Sequence, residues 1–435
     1  MRYRLFASLL FLLSFSCTAS AVPAIQQAQL DNGLRILLME AHNVPMVSMN
    51  LAMVGGSRFD APSKGGTAAI LASMLTDHTG KHDHEAWADL LDGDAIQLGG
   101  SAGSDEMNLS LTVLKEVLVP GLDAFTEALL QPGWDKKRFA IMKQNALAAA
   151  QKEQEEPGVQ AGEAGAALLF AAHPYGHRSA GSLASLKQIE ISDLKALYAT
   201  QIRPQGAVLA VSGDITMAEL KPLLEKKLAT WSGSPAKALT DISAPEPVHG
   251  KNVDVLLPTS QTQLQLLRLG PSRSDADFFP LFVLNHILGG GGFGSRLMEE
   301  VREKRGLAYG VYSYFSPLAT NGPFVISLQT RSDQAAEAEA VVRTVLAEMA
   351  AGKISQQQLT ESRENLTGSF AQRMDSNRER VSLISMIGLY NLPLDYLSVW
   401  TERIDAVTLQ QLRDQAAAYL NPEQWNRVRV GSNLK

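Results

Sequence analysis

The sequence has very little cysteine, and this scarcity excludes several kinds of site. Cys17 is the only cysteine among 435 residues, so the chain has neither an internal disulfide nor a thiolate metal site. Charged residues make up 19% of the chain, and no block of Lys or Arg stands out, which argues against nucleic-acid binding. With 45% hydrophobic residues, the composition excludes a disordered chain and favours a folded globular protein.

The first 21 residues have the pattern of a secretory signal peptide. Arg2 and Arg4 are basic, the stretch 5–15 is apolar, and Ala19-Ser20-Ala21 is a small-x-small cleavage site. We expect cleavage after Ala21, which also removes Cys17, and export across the inner membrane to the periplasm. An uncleaved N-terminal anchor is the alternative. No second apolar run of about 20 residues follows, so we expect no membrane span in the mature protein.

The length of the chain favours two domains. Residues 232–250 carry Pro, Gly and Ser with little periodicity, and we place an interdomain linker there. The first domain then spans residues 22–231 and the second spans 251–435. The alternative is a long surface loop within one domain.

Hydrophobic periodicity predicts strands and helices in both halves. The predicted strands are 34–39, 44–54, 108–114, 208–211, 261–267, 307–315 and 324–330. The predicted helices are 65–75, 84–91, 116–130, 135–154, 279–288, 334–350 and 359–373, with a helical pattern from 381 to the end. The order of strand, apolar helix, hairpin strand and long helix recurs after about 210 residues, which predicts a weak internal duplication.

The most informative stretch begins with four consecutive glycines, Gly289, Gly290, Gly291 and Gly292. They predict a loop that another backbone approaches closely. A short helix follows, with Arg302 in its last turn, and Tyr309 lies on the strand after the next turn. A guanidinium and a phenol aimed at one point make a binding site for a peptide carbonyl or an oxyanion. The alternatives are a helix-end charge for Arg302 and a half-buried strand aromatic for Tyr309.

This stretch resembles the C-terminal half of the pitrilysin/insulinase family of inverted-zincin peptidases, in which a Tyr follows the helical Arg by seven places. Other segments that resemble the family are Asn32-Gly33-Leu34-Arg35, Gly55-Gly56-Ser57-Arg58, His173-Pro174-Tyr175-Gly176-His177 and the stretch 203–214. The resemblance covers nearly all of the chain after the signal peptide. It implies an α+β fold with two similar domains, each a mainly antiparallel sheet with helices packed on one face.

The chain departs from this family at the zinc motif. Active members carry H-x-x-E-H on a helix, which places two imidazole ligands and a general base on one face. The matching helix here puts Ala69 and Ser73 at the two ligand positions and Ala72 at the base position. The third ligand, a Glu, matches the stretch Ala148 to Ala150. The resemblance therefore implies no zinc cofactor in this chain.

Three histidines lie downstream of the degenerate motif. His82 and His84 are two residues apart, so they diverge on a helix, and His84-Glu85 is typical of a solvated helix start. A non-standard metal site built from His78, His82 and His84 is the alternative interpretation.

Some bacterial members of the family divide the zinc helix and the Arg/Tyr pair between two chains, and this chain resembles the second kind. The resemblance implies a zinc-free subunit of a heterodimeric periplasmic metallopeptidase. Arg302 and Tyr309 would hold the carbonyl of a peptide substrate at the zinc of a homologous partner, and the four glycines would admit substrate or partner backbone. The alternatives are a stand-alone metallopeptidase that uses the histidine cluster and a non-catalytic binding or scaffold protein of the same fold.

Overall fold

The computed structural model describes residues 23–432 and residue 434, so the predicted signal peptide lies outside the described residues. Its elements fall into two halves. The first-half strands are β1 (Gln26–Gln29), β2 (Arg35–Glu40), β3 (Met46–Val54), β4 (Gln97–Ala102), β5 (Glu106–Leu114) and β6 (Val208–Gly213). The first-half helices are α1 (Thr67–Asp77), α2 (His84–Gly93), α3 (Leu118–Leu130), α4 (Lys136–Glu153), α5 (Pro157–Phe170), α6 (Leu183–Gln188), α7 (Ile191–Gln201) and α8 (Met217–Lys227).

The second half repeats this order with fewer helices between the strands. Its strands are β7 (Asn252–Leu256), β8 (Gln261–Leu269), β9 (Ala308–Phe315), β10 (Pro323–Arg331) and β11 (Asn426–Gly431). Its α-helices are α9 (Phe278–Asn285), α10 (Ala335–Ala350), α11 (Gln356–Gly368), α12 (Asn377–Leu389), α13 (Trp400–Asp405) and α14 (Leu409–Tyr419). Two π-helical turns, His286–Gly290 and Met298–Glu303, lie between α9 and β9.

The two sheets share one topology. The first has the order β1-β2-β6-β3-β5-β4 and the second the order β7-β11-β8-β10-β9. Every neighbouring pair is antiparallel except β2 with β6 and β7 with β11, which are parallel and occupy corresponding places. The predicted α+β fold of two similar, mainly antiparallel sheets is therefore confirmed, and the recurring order matches the predicted duplication. β4 and β9 are the corresponding edge strands.

Each sheet packs its own helices on one face and receives a helix of the other half on its second face. α5 of the first half lies on β8 and β11, and α12 of the second half lies on β3 and β6. Small residues allow these contacts: a Cβ at Gly165 would come within 2.9 Å of Leu267, and one at Gly388 would overlap Val208. This exchange of helices joins the two halves through their cores.

A buried carboxylate adds a polar link between the halves. Asp105 is fully buried and accepts hydrogen bonds from the hydroxyls of Tyr175 (2.6 Å) and Tyr390 (2.9 Å) and from the backbone N–H of Ala319 (2.8 Å). It also forms an ion pair with buried Arg58 (3.3 Å). Burial and the charge of Asp105 raise the pKa of both phenols, so they remain protonated donors.

Residues 232–250, the predicted linker, contain no helix or strand. Arg58 anchors this segment, because its guanidinium donates hydrogen bonds to the carbonyl oxygens of Ala238 (3.1 Å) and Leu239 (2.7 Å). Among the described residues, no helix combines the length and the apolar character needed to cross a membrane.

The predicted helical pattern from residue 381 to the end is wrong in its last segment. The described chain closes with β11, which lies between β7 and β8. Val428 and Val430 are fully buried in this central strand, while Arg427 and Arg429 pair with Asp254. The alternation of Val and Arg with period two is a strand pattern that pairing on both sides fixes.

Candidate functional site

The helix that matches the zinc motif is α1, and it has no ligand at the expected positions. Ala69 is partly buried, Ala72 is buried, and Ser73 is exposed with its hydroxyl donating to the carbonyl of Ala69 (3.1 Å). β4 lies directly against this helix, because a Cβ at Gly100 would overlap the carbonyl of Ala72. The motif positions therefore take part in packing and helix-internal hydrogen bonding.

The stretch matched to the third ligand lies on α4, which packs against α1. Ala150 is buried in the core, and Ala148 and Ala149 are exposed. None of the six matched side chains is an imidazole or a carboxylate. The donor set does not fit zinc, which binds nitrogen, sulfur or carboxylate ligands.

The start of α1 is nevertheless held by a buried carboxylate. Asp60 accepts hydrogen bonds from the backbone N–H groups of Gly66 (2.8 Å) and Ala68 (2.9 Å), which would otherwise lack partners at a helix N-terminus. Burial raises the pKa of Asp60 to about 7, against the opposing effect of these N–H donors. The N-terminus of α1 is thus fixed by a buried side chain, although the helix carries no zinc ligands.

The three downstream histidines contact acidic residues at two separate places. His78 is buried between Asp77 (2.9 Å) and the backbone N–H of Asp135 (3.1 Å), and His84 also contacts Asp77. His82 instead contacts Glu127 (2.8 Å). Across the described chain, no three His, Cys, Asp or Glu side chains come together in a way that could hold a metal ion.

The glycine run is more structured than a loop. Gly289 and Gly290 end the π-helical turn His286–Gly290, so the prediction of a loop is wrong for these two residues. A Cβ at Gly289 would come within 2.6 Å of the backbone nitrogen of Ser313, and one at Gly290 within 2.6 Å of the Asn285 side chain. The backbone that approaches here is the chain's own. Gly291 is equally constrained, by His286, and Gly292 faces open space at φ +60°.

Arg302 lies in the last turn of the π-helical segment Met298–Glu303, as the sequence indicates for a helix end. Gly306 then reverses the chain at φ +63°, and its N–H donates to the carbonyl of Arg302 (2.8 Å). The turn brings Tyr309 back beside Arg302: the guanidinium carbon lies 4.7 Å from the centre of the Tyr309 ring. The predicted convergence of the two side chains is present in the structure.

A β-bulge turns Tyr309 out of the core. Ala308 pairs with Thr330 and Val311 pairs with Leu328, so two residues of β9 face a single residue of β10. Without the extra residue, Tyr309 would share the buried face of Val311. Instead, 87% of the Tyr309 surface is exposed, and the phenol stands at the free edge of the second sheet.

Phe293, which the sequence analysis did not select, completes the site. Its ring centre lies 4.7 Å from the guanidinium carbon of Arg302, the same distance as that of Tyr309. The signal in the sequence was an apolar aromatic between Gly292 and Gly294. A guanidinium against two rings is stabilised by cation–π attraction.

The side-chain donors of Arg302 and Tyr309 have no competing acceptor in the described part of the chain. Within the described residues, neither side chain makes a hydrogen bond or an ion pair, whereas the nearby charges Glu299, Glu300, Lys304 and Arg305 pair among themselves. The arrangement therefore presents a fixed cation and a phenol O–H to solvent. Such donors can bind a carbonyl oxygen or an anion.

Two family models match this chain in sequence. The model described as "Insulinase (Peptidase family M16)" matches residues 35–170, and "Peptidase M16 inactive domain" matches residues 188–366. Together they cover most of the chain. This chain belongs to peptidase family M16.

Relatives and solved structures agree with the M16 assignment. A "Non-peptidase homolog YmxG" of Helicobacter pylori is 25% identical over 390 residues, which cover 88% of each chain. An "Uncharacterized zinc protease YmxG" of Bacillus subtilis is 25% identical over 360 residues, covering 82% of this chain and 86% of the relative.

The crystal structure of a peptidase M16 inactive domain from Pseudomonas fluorescens is 32% identical and superposes with a TM-score of 0.88, covering 94% of this chain and 97% of the other. A protease from Helicobacter pylori shares the fold at 18% identity and a TM-score of 0.88, over 94% and 100%. The M16 matches that carry the words "inactive" and "non-peptidase", together with the residues of α1, support an M16 member without a catalytic zinc motif.

Proposed function

We propose that this chain is the zinc-free subunit of a heterodimeric periplasmic metallopeptidase. In this proposal, Arg302 and Tyr309 bind the carbonyl of a peptide substrate that lies at the zinc site of a homologous partner subunit. The observation that carries it is the Arg302–Tyr309 pair, whose donors make no hydrogen bond or ion pair within the part of the chain that the structure describes. The motif helix of the same chain has no zinc ligands.

The chemistry of peptide hydrolysis suits these two donors. The carbonyl oxygen gains negative charge when water attacks the peptide bond, and preorganised donors that meet this charge lower the barrier. The guanidinium offers several N–H groups and Tyr309 offers one O–H, and no acceptor among the described residues has to be displaced. The zinc of the partner would activate the attacking water.

A homologous partner is proposed because the missing groups are those of a zinc helix. Ala69, Ala72 and Ser73 supply neither ligands nor a base, so the metal and the base must come from another chain if the assembly is a peptidase. The location follows from the predicted signal peptide, and fractionation of cells that express the full chain tests it.

The deciding experiment is kinetic. The experiment uses an M16 chain of the same organism that has an intact H-x-x-E-H helix and that co-purifies with this chain when the two are expressed together. In the assembled complex, Arg302→Ala and Tyr309→Phe are each expected to lower peptidase kcat/KM by roughly tenfold to a thousandfold. Arg305→Ala, which removes an ion-paired arginine from the same segment, is the matched control and leaves the rate unchanged. Unchanged rates in both test variants end the proposal.

A binding or scaffold role is the second candidate, and the name "Non-peptidase homolog" given to the Helicobacter pylori relative favours it. It predicts a partner whose activity is indifferent to Arg302. The stand-alone metallopeptidase predicts metal in this chain by itself. We expect near-zero zinc by mass spectrometry of the untagged chain, and one zinc per chain would instead support that alternative.

A further inference from the structure

A polar cavity of about 720 Å³ lies between the two halves, beside α12 on the second face of the first sheet. Along β5, the side chains that alternate with the buried core residues line its floor, and all four are polar: Glu106, Asn108, Ser110 and Thr112. The second half supplies walls that include Arg273, Ser385 and Tyr390. Residues of both halves therefore form a single polar site.

This cavity is separate from the Arg302 site. Neither Arg302 nor Tyr309 lines it. Tyr309 lies at the start of β9, whereas Pro317, which lines the cavity, lies beyond the end of that strand. Most of β9, roughly 20 Å, lies between them. What the cavity binds is thus independent of the proposed function.

Arg273 brings an unpaired positive charge to the cavity. Its guanidinium carbon lies 5.5 Å from the centre of the Tyr390 ring, and one terminal nitrogen donates a hydrogen bond to the carbonyl of Pro317 (3.3 Å). Its Nε is buried and has no hydrogen-bond partner within the described chain. Burial lowers the pKa of Arg273, but an arginine side chain stays charged at neutral pH. Charged groups taken out of water are normally paired, so this guanidinium lacks an anion.

Glu106 brings the opposite charge to the same end of the cavity. It follows Asp105, to which the hydroxyl of Tyr390 donates, while the ring of Tyr390 contacts Arg273. Burial and the charge of Asp105 raise the pKa of Glu106, against the opposing effects of Asn108 and Arg273. Among the residues that the structure describes, Glu106 and Arg273 form no ion pair with each other or with another side chain. One end of the cavity therefore holds a carboxyl and a guanidinium that are both without a counter-ion.

We propose that this end of the cavity binds a free α-amino acid with a polar side chain, whose carboxylate contacts Arg273 and whose ammonium contacts Glu106. A guanidinium matches a carboxylate in shape and charge, and an ammonium offers three donors to a carboxylate. A zwitterion supplies both missing counter-ions and adds no net charge to the cavity. The hydroxyls and amides of the floor are suited to a polar side chain, and the volume is within the range of small-molecule sites.

The test is isothermal titration calorimetry of the full chain, without its predicted signal peptide and without a partner, with L-glutamine as the probe. We expect saturable binding. N-acetyl-L-glutamine lacks the ammonium and L-glutamine amide lacks the carboxylate, so each should bind at least about tenfold more weakly than L-glutamine. These ligand controls test the inference on the unaltered protein.

Two substitutions assign the contacts. Glu106→Gln keeps the shape of the side chain and should weaken the binding of L-glutamine at least about tenfold, so that its advantage over N-acetyl-L-glutamine disappears. Arg273→Gln should remove the advantage over the amide in the same way. Glu116→Gln is the matched control, because Glu116 is an exposed glutamate that follows β5 and does not line the cavity. It leaves the affinity for all three compounds unchanged.

Three results would overturn the inference. The first is the absence of saturable heat up to about 50 mM L-glutamine, a concentration far above that of a specific site. The second is equal affinity for L-glutamine and its N-acetyl derivative, which would indicate a general anion site. The third is binding of L-glutamine that survives both Glu106→Gln and Arg273→Gln unchanged.

Discussion

The α1 region of the first half and the Arg302 region of the second half both lie in the segment that leads to the edge strand of their sheet, and their side chains have opposite characters. The first region lies between β3 and the edge strand β4, and the second lies between β8 and the edge strand β9. In the first region, Ala72 and Gly100 are in close contact and Ser73 bonds within its own helix. In the second, the side-chain donors of Arg302 and Tyr309 have no hydrogen-bond partner among residues 23–432 and 434. The polar groups of the first region are satisfied within the chain, whereas those of the second are available to a ligand.

The side chains of the first region pack in the fold, whereas those of the second expose groups that can interact with a ligand. The first region has the supports of a site, including the buried carboxylate of Asp60 under α1, but no reactive side chain. The second exposes a cation and aromatic rings, which contribute little to folding when they face solvent. We therefore expect substitutions in the first region to change stability and substitutions in the second to change binding or catalysis.

The largest effect is expected at the buried polar link between the two halves. Asp105→Ala leaves Arg58 as an unpaired buried cation and removes the acceptor of Tyr390, so we expect the free energy of unfolding to fall by about 3–5 kcal/mol. Urea unfolding of the isolated chain measures this change in the free energy of unfolding. Asp105→Asn keeps one acceptor oxygen and should lose less. A loss below about 1 kcal/mol would show that the halves do not depend on this carboxylate.

A glycine substitution tests the packing of the first region. Gly100→Ala forces a methyl group into the carbonyl of Ala72, and we expect a loss of about 1–3 kcal/mol in thermal or urea unfolding. Gly162→Ala is a matched control, because Gly162 lies within α5 with nothing within 4 Å of an added Cβ. It should stabilise the chain by about 0.5–1 kcal/mol. Equal effects of the two substitutions would mean that α1 is not packed tightly against β4.

The pH dependence of stability tests the support of α1. The pKa of Asp60 is about 7 in the folded chain and about 4 when unfolded, so between these values the folded state holds a proton that the unfolded state has released. The Asp60 contribution to stability therefore decreases as pH rises from about 4 to about 7, by at most about 1.4 kcal/mol per pH unit. Unfolding curves of the parent protein and of Asp60→Asn, measured between about pH 4 and pH 7, give the Asp60 contribution as the difference between the two pH profiles. Parallel pH profiles of the two proteins contradict the prediction.

Much of both regions could be predicted from sequence because the signals are local. The apolar pattern predicts a helix over 65–75, and α1 spans Thr67–Asp77. The spacing from Arg302 across Gly306 to Tyr309 predicts two side chains that converge, since a left-handed glycine reverses the chain there. Neither inference needs knowledge of distant contacts.

What could not be predicted depends on tertiary contacts. β4 contains Gly99 and Gly100 and has no alternating pattern, and Gly100 is required by the close approach of α1. The π-helical geometry of Gly289 and Gly290 follows from contacts with Ser313 and Asn285, which lie elsewhere in the chain or the preceding helix. The contact of Phe293 with Arg302 likewise spans a turn whose shape the sequence does not specify.

The smallest effect on stability is expected for Arg302 and Tyr309, the two residues that we propose bind the substrate carbonyl. Tyr309→Phe removes a hydroxyl that makes no hydrogen bond within the described chain, so it should change the free energy of unfolding of the isolated chain by less than about 0.5 kcal/mol. Arg302→Ala also removes the cation–π contacts with Phe293 and Tyr309, so its expected loss is about 1 kcal/mol. Urea unfolding provides the measurement, with Arg305→Ala as a surface control. A loss above about 1.5 kcal/mol would assign Arg302 a structural role, and any accompanying loss of rate in the complex would then no longer argue for contact with substrate. Unchanged stability together with a large loss of peptidase rate would show that Arg302 acts in the complex with substrate and not in folding.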